Sequence, residues 1–257
     1  MPDFTAMVPR YQHLRQISKK LTTDLVRTLS QDMILTGGRA LGVLKGNTLV
    51  INSDELGDIL MDYCLYNVHQ GGLNAVQLYL AAHRPPIGSD ELFLLTAKTQ
   101  ARYSVFLVQE VVKQTGLRLL DLHTNEALFL IDIGMSNTAQ KGLCLAGRMI
   151  PLGDYWICSG SAIGLTRTDL QSIRSLLPSL LGDKLPHQLP PEKYDAFVAA
   201  LIRCCLENKD RSSTFYADPH EWQIAQKMGL PWQTLAPSRN EPCPCGSGRK
   251  YKNCCDK

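Results

Sequence analysis

Four cysteines near the carboxyl end of this 257-residue chain have the types and spacing of metal ligands. One residue separates Cys243 from Cys245, and after eight further residues Cys254 and Cys255 follow directly on each other. Four thiolates suit a structural zinc ion, which prefers a closed tetrahedral cage. Closely spaced cysteines in a chain without an export signal are expected to stay reduced and to bind metal rather than to pair.

A metal is also expected because the last 21 residues, here called the tail (237–257), cannot fold by themselves. Tyr251 is their only large apolar side chain, and chains shorter than about 40 residues usually need a disulfide or a metal to fold. A zinc ion held by four thiolates supplies on the order of 10 kcal/mol of folding free energy. The alternative is a set of idle reduced thiols on an unfolded tail.

The tail also carries a family resemblance. Residues 242–255, with the run CPCGSG, the basic pair Arg249 and Lys250, Tyr251 and the closing pair of cysteines, closely resemble the SEC-C motif. This is the small zinc-binding element found at the C-terminus of the SecA translocation ATPase and of many otherwise unrelated bacterial proteins. The resemblance implies four zinc ligands: Cys243, Cys245, Cys254 and Cys255.

The resemblance implies docking as the role of the tail, since in SecA the motif contacts an export chaperone and the ribosome. It covers about 20 residues of this chain, and no G-x-x-x-x-G-K-[ST] phosphate loop is present, so no ATPase activity follows from it. Residues 36–160 also look similar to the bodies of uncharacterised bacterial proteins that end in this motif. That likeness indicates a family and no activity.

Charge is concentrated in the tail. It holds five basic and two acidic side chains, whereas residues 1–236, here called the body, hold 22 of each sign. A zinc ion with four thiolates contributes about −2 and leaves three cations as a compact basic face: Arg249, Lys250 and Lys252. Such a face favours an acidic protein surface or ribosomal RNA, and the alternative is that these side chains only keep the tail soluble.

Hydrophobic periodicity in the body predicts an α+β protein in which helical regions flank a small antiparallel five-stranded β-barrel, with the four-cysteine zinc motif at the end. The predicted parts are a helical region (1–102), the barrel (103–164), a second helical region (165–232) and a linker with the zinc motif (233–257). Five short apolar segments separated by turn signals predict the barrel strands: 103–112, 117–122, 127–133, 143–150 and 155–160.

The first predicted helix spans residues 10–34 and ends before Gly37 and Gly38. These glycines lack the spacing of a phosphate cradle and are interpreted as turns and close packing. In the next helix, acidic residues at the start suit a helix N-terminus, whereas Asp58 and Asp62 are interpreted as a solvated face.

The barrel is the candidate for a second activity, because barrels of the OB type often bind oligonucleotides. Residues 103–164 carry four basic and five acidic side chains, however, and this slightly negative net charge does not favour binding of nucleic acid. Asp121, His123 and Glu126 lie close together at a predicted strand end and suit either a catalytic or metal site or a plain hairpin connection, and the hairpin is favoured. No recognisable nucleophile, acid–base or two-metal set is present.

The sequence therefore predicts a cytoplasmic, bacterial-type zinc protein that binds a protein partner, either a chaperone or the ribosome. If it contacts nucleic acid, ribosomal RNA is the one expected. No apolar run approaches the roughly 18 to 20 residues that a membrane span requires, and the first 20 residues lack a signal-peptide core. An enzyme, either a hydrolase or a nuclease with a site assembled from distant residues, is the alternative. A third option is direct RNA binding by the two basic ends of the chain, which are the tail and the first 30 residues, where five basic side chains face two acidic ones.

Overall fold

A computed structural model of the chain describes residues 3–207, 249, 250 and 253. The chain divides into two compact units, residues 1–216 and 217–257, and the fold described below is that of the first unit. Residues 3–207 contain eight α-helices and a short 3-10 helix at Pro186–Gln188: α1 (Val8–Arg27), α2 (Gln31–Ala40), α3 (Asp54–Asn67), α4 (Ala75–His83), α5 (Asp90–Thr99), α6 (Ile133–Thr138), α7 (Arg167–Leu181) and α8 (Pro191–Glu207). None of these helices is both long enough and apolar enough to cross a lipid bilayer.

The prediction of one continuous helix over residues 10–34 is wrong, because the chain forms α1 and α2 there. The hydroxyl oxygen of Ser30 accepts a hydrogen bond from the backbone N–H of Met33 at 3.2 Å, so Ser30 caps a new helix. This second helix continues through Gly37 and Gly38, which are buried. At these two glycines the close-packing interpretation is therefore correct and the turn interpretation is not.

Ten strands accompany the helices in the same residues: β1 (Leu44–Lys45), β2 (Thr48–Leu49), β3 (His69–Gln70), β4 (Leu73–Asn74), β5 (Arg102–Val112), β6 (Gly116–Asp121), β7 (Ala127–Ile131), β8 (Cys144–Leu152), β9 (Tyr155–Cys158) and β10 (Ile163–Gly164). The first four form two small hairpins, β1 with β2 and β3 with β4. The remaining six form one sheet.

That sheet closes into a five-stranded barrel, because β8 pairs with β5 on one side and with β9 on the other. The strands follow each other around the barrel in the order β5, β6, β7, β9, β8, and β10 pairs with the first half of β8 on the edge opposite β5. The α+β class and the five barrel strands are thus confirmed. The closure is of the Greek-key kind that OB-type barrels use.

Purely antiparallel pairing of the barrel, as predicted, is wrong. β7 and β9 run parallel, with Leu130 opposite Trp156, while the other pairs are antiparallel. Strand directions must alternate around an all-antiparallel ring, and an odd number of strands cannot do so. A closed five-stranded barrel therefore requires a parallel pair, and α6 lies in the crossover between β7 and β8 that creates it.

Alternation along β5 assigns its side chains to two environments. Phe106 and Val108 belong to the apolar cluster inside the barrel, so Ser104 and Arg102 point to the same side at the barrel mouth. Tyr103 points the opposite way, toward the helices. The start of β5 thus presents polar side chains on both of its faces.

Candidate functional site

A cleft of 440 Å³ opens where α5 leads into β5. Its walls come from the α5–β5 connection, the barrel mouth, the α3–β3 region and the start of α8. The volume falls in the range of roughly 300 to 1,000 Å³ that is usual for small-molecule sites. The polar groups that line this cleft are the candidate functional site of the body.

Ser104 lies at the centre of the barrel mouth. Its hydroxyl donates to Oδ1 of Asp121 at 2.7 Å, and Nδ1 of His123 lies 2.8 Å from the same hydroxyl oxygen. Because a carboxylate can only accept, the serine proton points to Asp121 and the Nδ1–H of His123 donates to the serine. Burial lowers the pKa of His123 to about 4, although Asp121 acts in the opposite direction, so the ring is neutral at pH 7.

This arrangement is not a nucleophilic triad. In a Ser–His–Asp triad the histidine bridges the other two residues, whereas here the serine does, and Nδ1 of His123 lies 4.0 Å from Oδ1 of Asp121. That same carboxylate oxygen also accepts the backbone N–H groups of His123 and Thr124, at 2.9 and 3.2 Å. The contacts tie together the β6–β7 hairpin, which is the connection that the sequence favoured.

Arg102 extends the polar mouth toward solvent. Its Nη1 donates to Glu126 at 2.7 Å, and its guanidinium lies over the ring of Trp156 at 4.5 Å. Nε lies 3.9 Å from Oδ2 of Asp121, beyond hydrogen-bond distance. Nε and Nη2 are buried and have no hydrogen-bond partner in the part of the chain that the structure describes.

Arg148 lies at the other end of the cleft and is 1% exposed. Its Nε donates to Asp62 at 2.9 Å and its Nη2 to Asn67 at 2.6 Å, while the rings of Tyr66 and Tyr103 lie 4.3 and 5.5 Å from its guanidinium carbon. Burial lowers the pKa of Arg148, but the attraction of Asp62 and nearby groups outweighs it, and the net pKa is raised. The side chain is therefore a permanent buried cation.

The ion network continues to α8 and β3. The amide of Asn67 donates to Oδ1 of Asp195 at 2.8 Å, and Nδ1 of His69 lies 3.1 Å from the other carboxylate oxygen. Burial raises the pKa of Asp195, opposed by the bond from Asn67 and by His69. Elements far apart in sequence are thus locked together at one wall of the cleft.

Two further groups complete the lining. Tyr103 is 2% exposed, its hydroxyl has no hydrogen-bond partner among the described residues, and burial raises its pKa well above the ordinary value. Lys98 donates to the hydroxyl of Thr22 at 3.0 Å, and burial lowers its pKa to about 8. Within residues 3–207, 249, 250 and 253, no three His, Cys, Asp or Glu side chains come together to hold a metal ion.

The predicted zinc ligands lie outside the described residues, as does one predicted docking cation: Cys243, Cys245, Cys254, Cys255 and Lys252. Arg249 and Lys250 are described, and both are exposed. The backbone N–H of Asn253 donates to the carbonyl of Lys250 at 2.9 Å. Zinc ligation by the tail stays a prediction.

Sequence reasoning missed most of the cleft and was wrong about Asp62. That residue is 6% exposed and pairs with Arg148, so it does not belong to a solvated face. The available signal was local, since Asp62 stands between apolar neighbours on both sides along α3. Arg102 and Tyr103 offered no signal of their own, because the cleft forms only when distant segments meet.

A known protein family matches most of the body. The model of the Family of unknown function (DUF7986) matches residues 6–180, which is more than half of the chain. The chain belongs to this DUF7986 family. The DUF7986 match spans α1 through most of α7 and includes the whole barrel, and the SEC-C motif matches separately at residues 239–256.

Curated relatives of this DUF7986 protein cover parts of it. The uncharacterized protein YecA of Escherichia coli is 29% identical over 119 residues, which are 42% of this chain and 51% of YecA. The protein translocase subunit SecA of Prosthecochloris aestuarii is 39% identical over 69 residues, which are 25% of this chain and 6% of SecA. SecA of Campylobacter fetus is 81% identical over 21 residues, or 8% and 2% of the two chains.

The DUF7986 protein thus spans about half of YecA and a small part of SecA. No solved structure matches it.

Proposed function

We propose that this DUF7986 protein is a zinc-binding interaction protein whose tail docks a macromolecular partner in the bacterial cytoplasm. The SEC-C match at residues 239–256 carries the proposal, because it includes the four cysteines and the three cations named from the sequence. The donor set fits the metal, since four thiolates are a usual cage for structural zinc. Cys64, Cys158 and Cys204 are buried free thiols, which suits a reducing compartment.

The tail would act through its shape and charge. Zinc holds the short peptide in one form, and Arg249, Lys250 and Lys252 then present a compact basic face. Such a face attracts an acidic surface on a chaperone or the phosphates of ribosomal RNA. Chaperone and ribosome are therefore the two partners to test.

The metal is tested by elemental analysis of the full-length protein, purified under reducing conditions without a chelator. We expect one zinc per chain, and we expect Cys243→Ser to lose most of it because a closed cage needs all four ligands. Cys204→Ser changes a buried cysteine of α8 and is the matched control, which should keep the zinc. Metal-free wild-type protein would refute the proposal.

Docking is tested by co-purification from bacterial cells with protein and RNA identified. Replacing Arg249, Lys250 and Lys252 with glutamate should remove the partner that the full-length protein captures, as should deletion of the tail. A second triple replacement at exposed cations of α1, Lys19, Lys20 and Arg27, is the control and should retain the partner. Equal loss in both triple variants would instead support RNA binding by the two basic ends.

A further inference from the structure

The cleft at the start of β5 carries an inference that is independent of the tail. We propose that it binds a small metabolite that bears an oxyanion, either a phosphate or a carboxylate. The proposal rests on residues 3–207 and goes beyond docking, since it assigns the body a ligand of its own. Its groups are Arg102, Tyr103 and Arg148.

Three of the four carboxylate oxygens of Asp121 and Asp195 already contact polar groups of the protein, and the fourth, Oδ2 of Asp121, lies 3.9 Å from Nε of Arg102. Oδ1 of Asp121 accepts three hydrogen bonds. Both oxygens of Asp195 are engaged, one by the amide of Asn67 and the other by His69. These acidic groups serve the fold and leave little capacity for a ligand cation.

Two side chains of the same cleft carry hydrogen-bond donors without a partner. Nε and Nη2 of Arg102 and the hydroxyl of Tyr103 are buried without a hydrogen-bond partner among the described residues. Arg148, next to them, bonds through two nitrogens to Asp62 and Asn67 and adds a buried positive charge. Buried donors without partners are costly, and here they belong to Arg102, on the barrel-mouth face of β5, and to Tyr103, on the opposite face, both of which line the cleft. A ligand rich in acceptor oxygens and negative in charge would satisfy them.

Arg102 is accessible, and the cleft is large enough for a small ligand. Only Nη1 holds Arg102 through a hydrogen bond to a described residue, and its side chain is 26% exposed, so it can turn toward an incoming ligand. Tyr66, Tyr103 and Tyr194 are among the lining residues and contribute apolar carbon for contact with an organic portion. A volume of 440 Å³ accommodates a ligand of this kind.

Calorimetric titration of the full-length protein tests the proposal with three probes: inorganic phosphate, succinate and adenosine monophosphate. We expect saturable binding of at least one probe, with a Kd at or below about 1 mM. Binding of phosphate and the nucleotide indicates a phosphate ligand, and binding of succinate indicates a carboxylate ligand. Either result supports the oxyanion site.

Variants locate the binding. Tyr103→Phe deletes one unpartnered hydroxyl, so the protein should fold at least as stably as the wild type while its probe affinity falls about fivefold. Arg102→Gln should weaken binding about tenfold through loss of a charged donor. Replacing Arg148 is a poorer test because Asp62 would be left buried without its partner.

Two matched controls come from the same barrel. The hydroxyl of Tyr155 is also buried without a partner among the described residues but lies outside the cleft lining, so Tyr155→Phe should leave affinity unchanged. Arg118 pairs with Glu110 and faces the ring of Phe129, as Arg102 does with Glu126 and Trp156, and Arg118→Gln should also bind normally. No binding of any probe at about 10 mM, or equal affinity in all four variants, would overturn the proposal.

Discussion

His123 shows how a residue that suggests catalysis can serve the fold. The side chain is 2% exposed and contributes its Nδ1 to the hydrogen-bonded centre formed by Ser104 and Asp121. Its pKa is lowered by burial to about 4 from an ordinary 6.5. The folded protein therefore holds this ring neutral over a pH range in which the unfolded chain protonates it.

Stability should consequently fall as the pH drops from about 6.5 toward 4 and should be fully retained above that range. Each pH unit corresponds to about 1.4 kcal/mol, so the loss from this residue is about 2 kcal/mol at pH 5. In urea unfolding near pH 7.5 and near pH 5, His123→Asn should show a correspondingly smaller loss than the wild type. Exposed His187 provides the control, and an unchanged pH dependence in His123→Asn would contradict the assignment.

At this scale the sequence identified the tail motif but not the cleft. The four cysteines lie within 13 residues, so their spacing alone indicates a zinc cage. Arg148 instead pairs with Asp62 across 86 positions, and Ser104 meets His123 across 19. Such contacts depend on barrel closure and helix packing, which local patterns do not encode.

Among the elements, α2 and α3 pack closely at a glycine. A Cβ added at Gly37 would lie 2.3 Å from Sγ of Cys64, far inside contact distance. The thiol is buried and donates weakly to the carbonyl of Met33 at 3.6 Å, which ties the two helices together. Glycine is thus required at position 37 because Cys64 leaves no room for a Cβ, and not because of the backbone conformation there.

Gly37→Ala should destabilise the protein by about 2 kcal/mol, because the new methyl collides with the sulfur. Adding Cys64→Ala makes room for that methyl, so the double variant should be more stable than the sum of the two single losses by about 1 kcal/mol. On α3, Gly57→Ala meets only Ile51 at 3.8 Å and should stabilise by about 0.5 to 1 kcal/mol. Strict additivity of the first two changes in denaturant unfolding would disprove the contact.

The positions of the barrel strands were predicted better than the direction of their pairing or the break between the first two helices. Predicted strand segments such as 103–112 and 117–122 agree with β5 and β6 to within one residue, since apolar runs between turn signals are local patterns. Pairing direction is a property of the closed ring and was missed. The break between α1 and α2 was missed although Ser30 offered a capping signal, because the apolar spacing continues across it.

For the whole molecule, the body and the tail are expected to fold by different means. Residues 3–207 contain a closed barrel with an apolar interior, and in this part of the chain no group of metal-ligating side chains comes together. The tail, by contrast, depends on zinc in the proposal above. Removing the metal should therefore leave the body intact.

Deletion of residues 237–257, or treatment of the full chain with a chelator, should shift the Tm of the body by less than about 2 °C. Thermal unfolding followed by circular dichroism measures this, and elemental analysis of the same samples verifies that zinc has been removed. A drop of more than about 5 °C in either sample would show that the metal also supports the body.

The parallel contact between β7 and β9 joins one residue pair, Leu130 with Trp156, whereas β5 and β8 are joined by six. The barrel should therefore open first between β7 and β9, where the fewest residue pairs join two strands. The backbone amide hydrogens of these two strands would then exchange with solvent earliest among the barrel strands. The guanidinium of Arg102 lies over the indole of Trp156, which is the β9 residue of this contact. A ligand that binds Arg102 would therefore change the stability of the contact between β7 and β9. The indole fluorescence of Trp156 would change with it.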